Sequence, residues 1–368
     1  MDSVPLGTPF YLKDVSSLQS VFTSVPTGVA VIGANRHTVE GYAMRSSRRL
    51  ARLAACGEFN ERYSFSVKPP GVEGYFLQGY NVIREEIVTV PLHAVYYSDA
   101  ATLVPPGEER TRGADSLGAA SHRTSRGALE AAWLEYVERQ SLLYNWLTCS
   151  PGSRVSHEML SPEIRQRVTR LNAYFDEVQI FDISLHPEVP VVLALGIGGV
   201  FMGEGAAAGW TLWQAVEAAI NECTSRVLHY VPWDTGRQGL NLLPEEIGME
   251  RNLYVREFYK HYDPVTLRDA YRYLTEEWAH LDANGVERVP AREEEIVGVM
   301  RRVGEALNIE PIVVRVPSLR ESDRAVKVLA FEGYPHMFCS TYDPEDYAIS
   351  FHRGVNKFPN RRRMVPFA

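Results

Sequence analysis

The segment Leu53–Phe65, LAACGEFNERYSF, carries two glutamates three residues apart with an arginine directly after them: Glu58, Glu61 and Arg62. The segment AAWLEYVERQSLLYNWL repeats the pattern as Glu135, Glu138 and Arg139. On a helix, residues i and i+3 share a face, so each pair can point its carboxylates the same way. One such pair, taken alone, reads most simply as a solvated face with local ion pairs. Two copies read differently, because their neighbours Ala54, Ala55, Leu134 and Val137 look buried. Burying four carboxylates without cations is costly. Oxygen-only donor sets suit hard cations, above all Mg2+, which usually brings phosphates with it. The adjacent guanidiniums can grip phosphate oxygens. A di-iron bundle would need Glu-x-x-His on two helices, and neither copy supplies the histidine. There is no Walker A sequence, so a nucleotide here would be held by helices rather than by a P-loop.

The elements that must position these groups are legible in outline. TGVAVIGA (Thr27–Ala34) reads as a strand. RSSRRLARLAACGEFNERYSF reads as a helix, with Leu50, Leu53, Ala54, Gly57 and Glu61 at helical intervals. EEIVTVPLHAVYYS alternates like strands, broken at Pro91. The stretch Leu103–Leu129 has no apolar periodicity and reads as a loop, either a plain surface loop or one that handles phosphate as it enters the second acidic helix. From Gly127 to Leu147 the helix is strong, with Leu129, Trp133, Tyr136, Val137, Leu143 and Trp146 as its apolar face. EVQIFDISLHPEVPVVLALGIGG holds two buried strands, and WTLWQAVEAAINECTSRVLHYV a third long helix. Residues 242–307 read as mostly helical and highly charged. PIVVRVP, AVKVLAF and YAISFH read as strands. No repeat of solenoid length and no Pro/Gly/Ser linker divides the chain, so the expectation is one interwoven α+β domain over residues 1–368.

Composition narrows the function classes. The chain has 368 residues, 45% hydrophobic and 23% charged, with net charge −8. That balance argues against a general nucleic-acid binder. The apolar run Pro190–Gly203 is too short and too glycine-rich to span a bilayer. The N-terminus lacks the basic-then-apolar order of a signal peptide. Four cysteines without C-x-x-C spacing suggest reduced thiols and a cytoplasmic location.

Three phrases, in this order and spacing, resemble the nucleotide-site motifs of the YcaO superfamily: GEFNERY, then SLGAASHRTSRGALEAAWLEYVERQ, then GEGAAAGWTLWQAVEAAINECTSR. The likeness runs from about Gly28 to Arg226 and returns at the C-terminal end. ERQSLLYNWL, IFDISL and the ending MVPFA look closest to the cyclodehydratase subunits of microcin B-type synthetases. The resemblance implies an α+β fold with mixed sheets and a helix-built ATP and Mg2+ site. It implies that Glu58, Glu61, Glu135, Glu138 and Glu222 ligate Mg2+. Arg62, Ser121, His122, Arg139, Ser225 and Arg226 would face ATP. The tail, residues 357–368, would reach the active site and bring the terminal carboxylate of Ala368 there as a catalytic group.

Three positions depart from the family pattern: Ala54 where many members carry serine, Ser225 where glutamine is expected, and Ala368 where azoline-forming members usually end in proline. The implied reaction is ATP-dependent ring closure of Cys, Ser or Thr residues in a ribosomally made precursor peptide, giving thiazolines and oxazolines. The implied partners are the precursor with its leader, a separate E1-like leader-binding subunit, a flavin-dependent azoline dehydrogenase and a second copy of this chain. Neither membrane nor nucleic acid is expected as a partner. The motifs leave two alternatives open: thioamide or amidine formation, and a non-catalytic assembly subunit.

Overall fold

The computed structural model describes residues 10–14, 27–33, 40–45, 48–66, 74–97, 103, 114–198, 203–234, 257–258, 260–276, 279–280, 296–318 and 322–367. The chain divides into two compact units. One comprises Met1–Tyr136 with Glu310–Ala330, the other Val137–Ile309 with Phe331–Ala368.

The first unit contains two antiparallel sheets. Strands β1 (Phe10–Asp14), β2 (Thr27–Gly33) and β3 (Glu40–Arg45) form one, in the order β1-β2-β3. The other is built from β4 (Phe76–Asn81), β5 (Glu86–Pro91), β6 (Ala119–His122), β12 (Ile312–Val316) and β13 (Arg324–Leu329), in the order β5-β4-β12-β13-β6. Helix α1 (Arg48–Ser66) packs on β2, β3 and β6. It buries Ala55, Phe59 and Phe65 and leaves Leu50 and Leu53 exposed, so its buried face is turned from the one the leucine spacing suggested. The two phenylalanines remove more apolar surface from water than the leucines would. Phe65 joins Val90, Leu92, Tyr96, Val314 and Ala325 in the core beside the second sheet.

The second unit carries one sheet, in the order β10-β9-β8-β7-β11. Its strands are β7 (Ser153–Arg154), β8 (Glu177–Asp182), β9 (Val191–Ile197), β10 (Gly203–Ala208) and β11 (Ala279–His280). β7 and β11 run parallel and the other pairs antiparallel, which makes the sheet mixed. Helix α3 (Pro162–Leu171) starts at Ser161, whose hydroxyl accepts the Ile164 N–H. Helix α4 (Leu212–Asp234) lies on β9 and β10. The glycine of GEGAAA makes that possible. A Cβ on Gly205 would stand 2.2 Å from the Ala219 carbonyl oxygen and 2.4 Å from the Cys223 nitrogen, so only glycine lets helix and strand approach this closely.

Helix α2 (Ser125–Thr148) contains the boundary between the units, at Tyr136 and Val137. Its start is a polar lock. The Thr124 hydroxyl accepts the Gly127 N–H at 3.1 Å, and His122 Nδ1 accepts the Thr124 N–H at 3.1 Å. A Cβ on Gly127 would meet the His122 ring at 2.3 Å. Trp133, Tyr136, Val137, Leu143 and Trp146 are buried as expected, while Leu129 is half-buried.

Two local expectations fail. YAISFH is a 3-10 helix, Ala348–Gly354, not a strand. Ile349 and Ser350 are adjacent and both buried, which no half-exposed strand allows. Ala119–His122, read as part of a loop, is strand β6, paired to β13 from Arg324↔His122 to Lys327↔Ala119. Of the region 242–307 read as helical, 242–256 and 281–295 lie outside the described residues, as does the loop segment 104–113.

Candidate functional site

In the first unit, α1 presents Glu58, Glu61 and Arg62 on one face. Arg62 pairs with Glu58 through its guanidinium. Glu61 accepts a hydrogen bond from the Ser121 backbone on β6. Burial, and next the charge of Glu58, push the Glu61 carboxyl up to about 8, against opposing pulls from Arg62 and Lys327. A divalent cation would relieve that repulsion, and the all-oxygen donors suit Mg2+. Glu135, on the part of α2 within this unit, is half-buried.

Lys327, on β13, is 2% exposed. Its ammonium donates to the Asp115 carbonyl at 2.6 Å and lies 5.4 Å from the centre of the Tyr97 ring. Burial lowers it to about 8, and Asp115, Glu135 and Glu61 hold it up against that. Tyr97 is raised well above its ordinary range, first by burial and then by Glu61, Glu135 and Asp115. The sequence reading missed Lys327, Tyr97 and Asp115. Among the described residues, no group of three His, Cys, Asp or Glu side chains lies close enough to hold a metal ion by itself. Mg2+ characteristically binds through one or two carboxylates plus phosphates, so such a cage is not required.

In the second unit, Glu138 and Glu222 are held by the same edge strand. The Ala208 N–H donates to Glu138 Oε2 at 3.3 Å, and the Ala206 N–H to Glu222 Oε2 at 3.2 Å. The two amides are two residues apart and so lie on the same edge of β10. Arg139 Nε lies 3.4 Å from Glu138 Oε1. Arg226 reaches Glu222 Oε1 and Glu204 Oε1, each at 3.5 Å. Glu204 is 1% exposed and was also missed. Its only sequence signal was a charged residue inside the small-residue run GEGAAAG.

The tail lies in this unit. The Tyr262 hydroxyl donates to the Met364 carbonyl at 2.5 Å, and the Tyr271 hydroxyl to the Pro366 carbonyl at 2.9 Å. Val365 and Phe367 are buried. The Phe367 ring has the Arg139 guanidinium 5.1 Å and the Arg226 guanidinium 5.5 Å from its centre.

Glu58, Glu61, Arg62, Ser121, His122 and Glu135 thus belong to the first unit, and Glu138, Arg139, Glu222 and Arg226 to the second. Ser121 is half-buried and His122 exposed. The Ser225 side chain and Ala368 lie outside the described residues. Among the described residues, no helix is long and apolar enough to cross a membrane.

Comparison with known proteins supplies the family. At 18% identity the fold is that of a chain of the E. coli microcin synthetase McbBCD complex with pro-MccB17 bound, covering 97% of this chain and 96% of that one with a TM-score of 0.70. YcaO from Methanopyrus kandleri, bound with AMPPCP and Mg2+, is similar at 18% identity over 87% of this chain and 84% of that one, TM-score 0.63. A heterocyclase in complex with substrate and cofactor is similar at 14% identity over 97% of this chain and 54% of that one, TM-score 0.68. No curated protein sequence matches. The family model described as YcaO cyclodehydratase, ATP- and Mg2+-binding, matches residues 70–330. The α+β fold and the ATP and Mg2+ expected from the three motifs accord with that match, and the chain belongs to the YcaO family.

Proposed function

We propose that this chain is the cyclodehydratase subunit of a heteromeric azole synthetase, closing Cys, Ser and Thr residues of a ribosomally made precursor peptide into thiazolines and oxazolines at the expense of ATP. The observation that carries the reading is the recurrence of carboxylate beside arginine on α1, α2 and α4 in a chain of this family. Glu58, Glu61, Glu135, Glu138 and Glu222 are assigned to Mg2+. Arg62, Arg139 and Arg226 are assigned to the phosphates, with Ser121 and His122 in the loop beside them and Ser225 next to Arg226.

The chemistry asks for this kind of set. The thiol or hydroxyl of the modified residue adds to the preceding peptide carbonyl and loses its proton. The resulting oxyanion attacks the γ-phosphorus of ATP and ADP leaves. The carbon–oxygen bond then breaks, phosphate departs, and loss of the amide proton completes the ring. Bound Mg2+ supplies charge to the triphosphate. The arginines stabilise charge that develops during phosphoryl transfer, the largest contribution a protein makes to that step.

A precursor peptide with a leader, an E1-like subunit that holds the leader, a flavin-dependent azoline dehydrogenase and a second copy of this chain complete the proposed assembly, in the cytoplasm. The test is ATP turnover by the reconstituted assembly with and without precursor. Turnover that requires both precursor and this chain supports an enzyme. Turnover unchanged when this chain carries Glu138→Gln would make it an assembly subunit instead.

A further inference from the structure

We infer that Tyr97 is a positioning residue whose hydroxyl donates to the Glu61 carboxylate and fixes it for Mg2+. The inference rests on the assignment of Glu61 to the metal proposed above.

The Tyr97 ring is held against the face of α1 that carries Glu61. Phe65 follows Glu61 by four residues, one turn along the same face. The Tyr97 N–H donates to the Phe65 carbonyl at 2.8 Å, and the two rings stack with centres 5.5 Å apart and planes 26° apart. The Lys327 ammonium lies 5.4 Å from the centre of the Tyr97 ring. Lys327 pairs across the sheet with Ala119 on β6, two residues before Ser121, whose backbone donates to Glu61. Helix α1, strand β6, strand β13 and the segment after β5 therefore meet at one carboxylate.

The Tyr97 hydroxyl is buried and has no hydrogen-bond partner among the described residues. Buried hydroxyls in folded proteins are nearly always bonded, so an orphan beside a carboxylate calls for a partner. After burial, the charges of Glu61, Glu135 and Asp115 act on this hydroxyl, and they keep it protonated and therefore a donor. The Asp115 side chain already accepts the Leu117 N–H at 2.9 Å. Glu61 accepts one backbone amide. A carboxylate offers about four lone-pair sites, so Glu61 can take a further donor while it faces a cation. Metal-ligating carboxylates are hydrogen-bonded in turn, and losing such a bond typically costs about ten- to a hundredfold in metal affinity. The neighbouring Tyr96 supplies the contrast. Its hydroxyl is also buried without a partner among the described residues, but burial alone is what raises it.

The experiment is calorimetric titration of the full chain with Mg2+–AMPPCP, together with melting in EDTA. Wild type is compared with Tyr97→Phe and Tyr96→Phe, and Glu61→Gln serves as the control for the metal assignment. Phenylalanine keeps the stack on Phe65 and removes only the hydroxyl. We expect Tyr97→Phe to melt in EDTA no lower than wild type, because it deletes a donor that has no acceptor in the fold. The same variant should bind Mg2+–AMPPCP about tenfold more weakly, and Tyr96→Phe should bind as wild type does. Unchanged affinity in Tyr97→Phe, with Glu61→Gln impaired, overturns the inference and leaves the metal assignment standing. A lower melting temperature of Tyr97→Phe in EDTA, or an equal loss of affinity in Tyr96→Phe, overturns it as well, since the hydroxyl would then serve the fold. Glu61→Gln that binds as well as wild type, or a wild-type chain that takes up no AMPPCP, overturns the metal assignment and the inference with it.

Discussion

Replacing Glu61 with glutamine should make the metal-free chain more stable at pH 8, although it removes a residue assigned to the metal. Burial and Glu58 push the Glu61 carboxyl up to about 8 in the folded chain, against 4.5 for an unperturbed one. Between these values the folded chain binds more protons than the unfolded chain, so stability falls as pH rises through the window. In full, the difference withholds roughly 4–5 kcal/mol at pH 8. Glu61 is only partly buried, and Arg62 and Lys327 can move toward it, so we expect about 2–3 kcal/mol. For a protein of this size that is roughly 3–4 °C in melting temperature. Scanning calorimetry in EDTA at pH 5 and pH 8 reads it directly. Wild type and Glu61→Gln should melt together at pH 5, and the variant should melt higher at pH 8. Added Mg2+ should raise the wild type more than the variant. Equal melting at pH 8, or a lower-melting variant, would refute the electrostatic account of this cluster.

Three further outcomes follow from single contacts. Lys327→Met removes a cation that holds the Glu61 carboxyl down, so Glu61 should keep its proton to a pH above 8 and the variant should cost about 1 kcal/mol more at pH 9 than at pH 7, as read by urea melts at both. Tyr262→Phe and Tyr271→Phe each remove a hydroxyl from a tail carbonyl. Each should cost about 1 kcal/mol and speed amide hydrogen exchange in Met364–Phe367, with little change elsewhere. Gly205→Ala drives a methyl into the Ala219 carbonyl and the Cys223 amide, so it should cost about 3 kcal/mol or more by lifting α4 off β10. A variant as stable as wild type would mean that this approach is looser than it looks.

The three helices that carry the glutamates were legible because helical periodicity and an i,i+3 carboxylate pair survive in one dimension. Glu222 was found through a motif, and the backbone donor that fixes it, Ala206, could not be. Strand β10 was unreadable because GEGAAA has no β-branched or aromatic residue. Its extended form comes from pairing with β9 and from glycine at the contact with α4. Lys327 sits in AVKVLAF, an alternating strand in which a lysine reads as the wet face. Its burial reflects Glu61, Glu135 and Asp115, which are distant in sequence. Strand β6 was hidden for the same kind of reason, since its partner β13 begins two hundred residues later. YAISFH failed because composition suggested extension, whereas tertiary contacts from Tyr334 to Ser350 and from Leu185 to His352 fix a compact turn.

The central claim is that this chain uses ATP to remove water from a peptide backbone. The direct measurement is mass spectrometry of a Cys-, Ser- and Gly-rich precursor peptide incubated with the reconstituted assembly, with ATP consumption followed in the same samples. The account predicts loss of one water per modified residue, one ATP consumed for each loss, and neither event when Glu138→Gln replaces the wild-type chain. A mass change that corresponds to sulfur replacing oxygen, or loss of water without ATP consumption, would contradict it.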